Sequence, residues 1–81
     1  WRYDAGLECG EAANTAKYLA AEAGYAAADQ AVQTLGGMGY ASEYDVERYW
    51  REARIMRLAP VSQELVQAYV ATKVLGLPRS Y

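Results

Sequence analysis

Two stretches of this 81-residue chain carry groups able to meet a ligand. The first is Gln33-Thr-Leu-Gly-Gly-Met-Gly-Tyr40, where three glycines fall within four residues. Glycine permits positive φ and leaves main-chain N–H and C=O groups uncovered, so this turn can lie against a phosphate, or it can be a plain Schellman-type helix stop. It is not a dinucleotide fingerprint: Ser42 stands where the third glycine belongs, and the segment follows a helical pattern rather than a strand. The second stretch is the break Ala59-Pro-Val-Ser62. N–H groups at the start of the next helix can hold an anionic or carbonyl oxygen there, or the break is an ordinary connection.

The arginine series Arg48, Arg51, Arg54 and Arg57 is interleaved with Glu47 and Glu52. Its spacing suits i,i+4 pairs from Glu47 to Arg51 and from Arg48 to Glu52 on a solvated helix face, with contact to another domain, subunit or anionic ligand as the alternative.

The residues that are missing exclude several chemistries. One cysteine, Cys9, and no histidine leave no disulfide, no Ser-His-Asp triad and no His-based zinc site. Cys9 has no histidine to activate it and reads as a small loop or core residue in a reducing compartment. Eight Lys and Arg against ten Asp and Glu give a net charge of -2, so no positive field draws a nucleic acid backbone. No apolar run approaches the roughly 20 residues of a membrane span. The opening Trp1-Arg2-Tyr3, without an initiator Met or leader, reads as part of a larger soluble protein. A lone domain of this length hides only about 60% of its unfolded surface, so outside help for the fold is expected.

Three helices must position the two stretches. Residues 11–35 contain ten alanines and no proline. Ala12, Ala16, Leu19, Ala23 and Ala27 recur at helical spacing opposite Glu11, Asn14, Tyr18, Glu22, Tyr25 and Asp29, which predicts a long helix with a small-residue inner face. Val46, Trp50 and Ala53, with Ile55 and Leu58 beside them, predict a second helix over 46–58. Pro60 interrupts the pattern. Ser62 is the expected N-cap of a third helix over 62–75, whose stripe is Val66, Tyr69, Val70 and Val74 and whose end is set by Gly76 and Pro78.

Gln33-Thr-Leu-Gly-Gly-Met-Gly-Tyr40, Glu43-Tyr-Asp-Val-Glu-Arg48 and Trp50-Arg-Glu-Ala-Arg-Ile55, in this order and spacing, resemble the last domain of the acyl-CoA dehydrogenase family. The resemblance extends through Leu75-Gly-Leu-Pro-Arg-Ser-Tyr81. It implies an all-α fold, with residues 1–81 supplying three helices and so most of an up-down four-helix bundle, while an amino-terminal helical domain and a middle β domain lie outside the segment. It also implies α,β-dehydrogenation of an acyl-CoA thioester with FAD, in fatty acid metabolism, by a homodimer or homotetramer that passes electrons to an electron-transferring flavoprotein. The compartment it implies is the cytoplasm, or the mitochondrial matrix in a eukaryote.

Carried over by position, Gln33, Gly36 and Gly37 fall on the loop that touches the FAD of a neighbouring subunit. Ser62, Gln63 and Glu64 fall on a flavin-contacting stretch, and Val61 falls on a residue whose backbone lies beside substrate. One departure stands out: Pro60 occupies the position where many members carry the catalytic glutamate. Proline has neither an acid-base group nor an N–H, so the segment contains no assigned catalytic residue, and an upstream helix is the expected source of the base. A relative with altered chemistry, or a noncatalytic helical interaction and oligomerisation module, are the alternatives.

Overall fold

The computed structural model describes residues 1–80; Tyr81, the last residue of the family-like tail, lies outside the described residues. Among the described residues every regular element is helical: α1 (Gly10–Leu35), a single turn α2 (Gly37–Tyr40), α3 (Val46–Ile55), α4 (Gln63–Tyr69) and a π-helical continuation at Val70–Val74. The all-α expectation is met. The chain runs out along α1 and returns along it: Trp50 bonds to Asp29, Arg57 to Glu22 and Gln67 to Tyr18, so partner numbers on α1 fall as those on the return leg rise.

The face of α1 that packs is opposite to the one expected. Asn14, Tyr18, Glu22, Tyr25 and Ala28 are half-buried and Ala21 is fully buried against the return leg. Ala12, Ala16, Ala23 and Ala27 are exposed, and Leu19 is 58% exposed. Apolar area explains the reversal. A tyrosine ring buries far more surface than a methyl group, while its hydroxyl stays at the rim, so Tyr18 and Tyr25 outweigh several alanines. Tyr25 lies in tilted contact with the Trp50 ring at 6.4 Å and carries the Arg57 guanidinium 5.2 Å from its centroid.

Helix ends differ from the sequence pattern for local reasons. At Gly36 the chain takes φ 59° and ψ -134°, a positive-φ conformation outside the left-handed helical basin, so the expected Schellman stop is not formed. The Gly39 N–H instead donates to the Gly36 carbonyl at 3.0 Å and opens α2. Gly39 is buried, and a Cβ there would stand 2.6 Å from the carbonyl oxygen and 2.8 Å from the Cα of Val32. Only glycine fits that approach.

The second helix ends at Ile55 instead of residue 58, because Met56, Arg57 and Leu58 donate to carbonyls three residues back and tighten the chain ahead of Pro60. Ser62 caps α4 through a bond from the Leu65 N–H to its hydroxyl at 3.3 Å. The third helix widens to π geometry over Val70–Val74, where the Leu75 N–H reaches the Val70 carbonyl at 3.0 Å. Within this stretch the Thr72 hydroxyl bonds back to the Ala68 carbonyl at 2.8 Å, a competition that loosens regular winding. Gly76, at φ 68°, ends the helix as its sequence position suggested.

Little of the apolar surface is covered. Val66, 1% exposed, and Ala21 are the only fully buried hydrophobic side chains among the described residues, while Ile55, Met56 and Leu58 are each more than half exposed. The accessible surface is 6281 Å². A compact monomer of this mass exposes about 4,800 Å².

Candidate functional site

The expected ligand-facing residues form two groups on one rod. Gln33, Gly36 and Gly37 sit at the carboxy-terminal end of α1, all exposed. The Gln33 carbonyl accepts the Gly36 N–H at 3.3 Å, which leaves the Gln33 side-chain amide on the surface. A Cβ added at Gly36 or Gly37 meets nothing within 4 Å, so the main chain there is open to approach from outside. A cleft of about 330 Å³ adjoins it, lined by Asp29, Val32, Gly39, Tyr40, Trp50 and Arg51 among others.

Val61, Ser62 and Glu64 sit at the break between α3 and α4. Val61 is 43% exposed and lines a second cleft of about 470 Å³ with Leu65, Tyr69, Lys73 and others. Glu64 is exposed in the first turn of α4, where a carboxylate is favoured by the helix N-terminus. Ser62 is half-buried, its hydroxyl already accepting the cap bond. Gln63 turns the other way. It is 7% exposed, its amide donates to Glu22, and its oxygen accepts from Arg57 at 3.0 Å.

The two groups do not converge. The break lies opposite Glu22 and the glycine turn follows Leu35, and at 1.5 Å per residue they are separated by roughly 20 Å along α1. One small group cannot touch both.

Electrostatics around the arginine series is mostly a surface matter. Arg51 pairs with Glu47 at 3.2 Å as the spacing predicts, whereas Arg48 pairs with Asp45 at 3.5 Å instead of with Glu52. A hydrogen bond with Tyr49, then the Asp45 charge, raises the Arg48 pKa above its usual value. Arg57 departs from the solvated face altogether: it is half-buried and pairs with Glu22 at 3.0 Å.

Sequence reasoning did not foresee the Glu22, Arg57 and Gln63 cluster, the bond from Lys17 to the Met56 carbonyl, or the close seat of Gly39 on Val32. The available signal was that Asn14, Tyr18, Glu22 and Tyr25 are themselves helically spaced. Among the described residues no three metal-ligating side chains gather, and no helix is long and apolar enough to cross a membrane.

A family model described as acyl-CoA dehydrogenase, C-terminal domain, matches residues 1–75. The chain is 54% identical to acyl-CoA dehydrogenase FadE12 of Mycobacterium tuberculosis over 81 residues, covering 98% of this chain and 21% of that protein. It is 44% identical over 65 residues to the mitochondrial short-chain specific acyl-CoA dehydrogenase of Rattus norvegicus, covering 80% and 16% respectively. Against an acyl-CoA dehydrogenase of Bacillus subtilis it is 36% identical over 74 residues, covering 91% and 20%. The chain thus spans about a fifth of the length of the curated relatives it matches. No solved structure matches it.

Proposed function

The chain belongs to the acyl-CoA dehydrogenase family, within its carboxy-terminal domain, and from that premise we propose that it is the cofactor-contacting and assembly-forming end of an FAD-dependent acyl-CoA dehydrogenase. The observation that carries this reading is the bare main chain at Gly36 and Gly37 beside the exposed Gln33 amide. A cradle of that kind fits a dinucleotide brought by other polypeptide: main chain that carries no side chain lets a pyrophosphate approach closely, and an amide both donates and accepts. FAD, when bound, supplies the acceptor for the β hydride of an acyl-CoA thioester.

This chain's residues then do two separate jobs. Gln33, Gly36 and Gly37 hold the cofactor of a neighbouring subunit. Ser62 and Glu64 face the flavin side of the break, and the Val61 backbone lies against the substrate. The distance between the groups along α1 suits contact with two different bound molecules, as in a homodimer or homotetramer. Pro60 holds no proton, so the α proton passes to a carboxylate from outside these 81 residues. The uncovered alanine face of α1 receives another helix of the same domain, since small side chains allow close helix approach. Electrons leave to an electron-transferring flavoprotein.

The intact protein is expected to purify yellow and to bleach anaerobically when an acyl-CoA is added. A colourless protein that FAD cannot reconstitute leaves the noncatalytic helical module standing; a yellow one inert to every acyl-CoA points, with Pro60, to altered chemistry. Gln33→Ala in the intact protein should raise the dissociation constant for FAD about tenfold, the loss of one or two hydrogen bonds, with an unchanged melting temperature in the FAD-free state. Equal FAD retention in the variant and the parent, measured by ultrafiltration, would remove Gln33 from the site.

A further inference from the structure

The break between α3 and α4 is tied to α1 by a side-chain cluster in which Gln63 is buried and Arg57 and Glu22 are partly exposed. Glu22 on α1, Arg57 after α3 and Gln63 at the start of α4 form a cluster of one ion pair and two hydrogen bonds: Arg57 Nε lies 3.0 Å from the Glu22 carboxylate, the Arg57 Nε–H donates to Gln63 Oε1 at 3.0 Å, and Gln63 Nε2 donates to Glu22. The Gln63 N–H also donates to the Arg57 carbonyl at 3.1 Å, closing the segment into a loop of fixed ends. Lys17 adds a bond to the Met56 carbonyl immediately before it. The Tyr25 ring supports the Arg57 guanidinium from below, with Arg54 5.9 Å from the same centroid.

We propose that Glu22, Arg57 and Gln63 form a latch that positions the main chain of Pro60 and Val61. Resting on the reading of Val61 as the substrate-facing residue, the latch serves to hold that backbone at a constant distance from the acyl thioester. None of the three is a catalytic residue; they are positioning residues.

The physical case rests on geometry and on the alternatives open to these atoms. A glutamine at the start of a surface helix ordinarily points to water. Here Gln63 is 7% exposed with both ends of its amide engaged, and no buried side-chain polar atom among the described residues lacks a partner. The amide is the one group able to accept from the cation and donate to the carboxylate at once, so it bridges two elements that an ion pair alone would join only to each other. Loops without such bonds wander, and a displacement of about 1 Å at a reacting centre can cost up to 100-fold in rate.

Gln63→Leu in the intact holoenzyme tests this, because leucine keeps the volume and leaves Glu22 paired with Arg57. Backbone amides of residues 56–62 should exchange with deuterium about tenfold faster, while those of residues 24–34 keep their rates. Unaltered exchange at 56–62 overturns the latch, whatever the protein's activity. Bleaching by a saturating acyl-CoA should slow about tenfold, with FAD content and the KM for acyl-CoA within twofold of the parent. Glu22→Ala should match that loss, and Glu22→Gln, which keeps an acceptor, should recover most of it. Faster exchange with unslowed bleaching overturns the positioning role. A parent that never bleaches removes the acyl-CoA dehydrogenase reading and the substrate-facing purpose with it, and the exchange arm then decides the latch alone.

Discussion

Gly39→Ala in the intact protein is expected to lower unfolding free energy by about 3 kcal/mol, at the upper end of the usual cost of overpacking. The added methyl would press on the carbonyl oxygen and Cα of Val32 at 2.6 and 2.8 Å. Both atoms belong to the backbone of α1, so no rotamer change relieves the clash, and α2 must lift away from the helix. The matched control is Gly37→Ala, whose Cβ meets open space. There, the smaller entropy of the unfolded chain should leave stability unchanged or raised by up to about 1 kcal/mol. Denaturant titration of the two variants separates packing from cofactor contact: Gly39→Ala should unfold earlier with or without FAD, whereas Gly37→Ala should be impaired only in holding FAD. Equal midpoints for the parent and Gly39→Ala would refute the close seat on Val32.

The isolated 81-residue chain is expected to lack a cooperative thermal transition and to associate at micromolar concentration. Its Cα radius of gyration is 16.4 Å, against about 12 Å for a compact domain of this length. The surplus of accessible surface over a compact monomer, about 1,500 Å², is nearly twice the roughly 800 Å² that one partner buries in a standard specific interface. With Val66 and Ala21 the only buried hydrophobic side chains among the described residues, few core contacts oppose the conformational entropy of the chain. Circular dichroism should show helicity that rises with protein concentration, and sedimentation should show species larger than 8.9 kDa. A monomer melting in one sharp, concentration-independent step would refute the claim that these faces need cover.

The helices, their approximate limits and the punctuation by Gly36, Pro60 and Gly76 were legible because local stereochemistry sets them: positive φ at two glycines, and a proline that cannot continue a helix. The facing of α1 was not. Sorting positions by polarity put the alanines inside, whereas the area carried by Tyr18 and Tyr25 decides which side turns inward. Two competing stripes on one helix cannot be ranked by composition. Arg57 and Gln63 were grouped with surface charges and ligand-facing residues for a similar reason: their burial depends on Glu22, some 40 residues earlier in sequence. The π-helical ending, within which the Thr72 hydroxyl bonds to the Ala68 carbonyl, is signalled by no periodicity.

Because the Gln63 anchor and the Gln33 amide are both referred to α1, that helix acts as a ruler with an angular scale. Inserting one residue between Glu22 and Gln33 would advance the far end by 1.5 Å and turn it by about 100°, swinging the amide away from its neighbour. Seven residues, close to two full turns, would restore the bearing but add about 10 Å of length. Lineages of this protein should therefore vary in the loop 41–45 before they vary in the length of that interval.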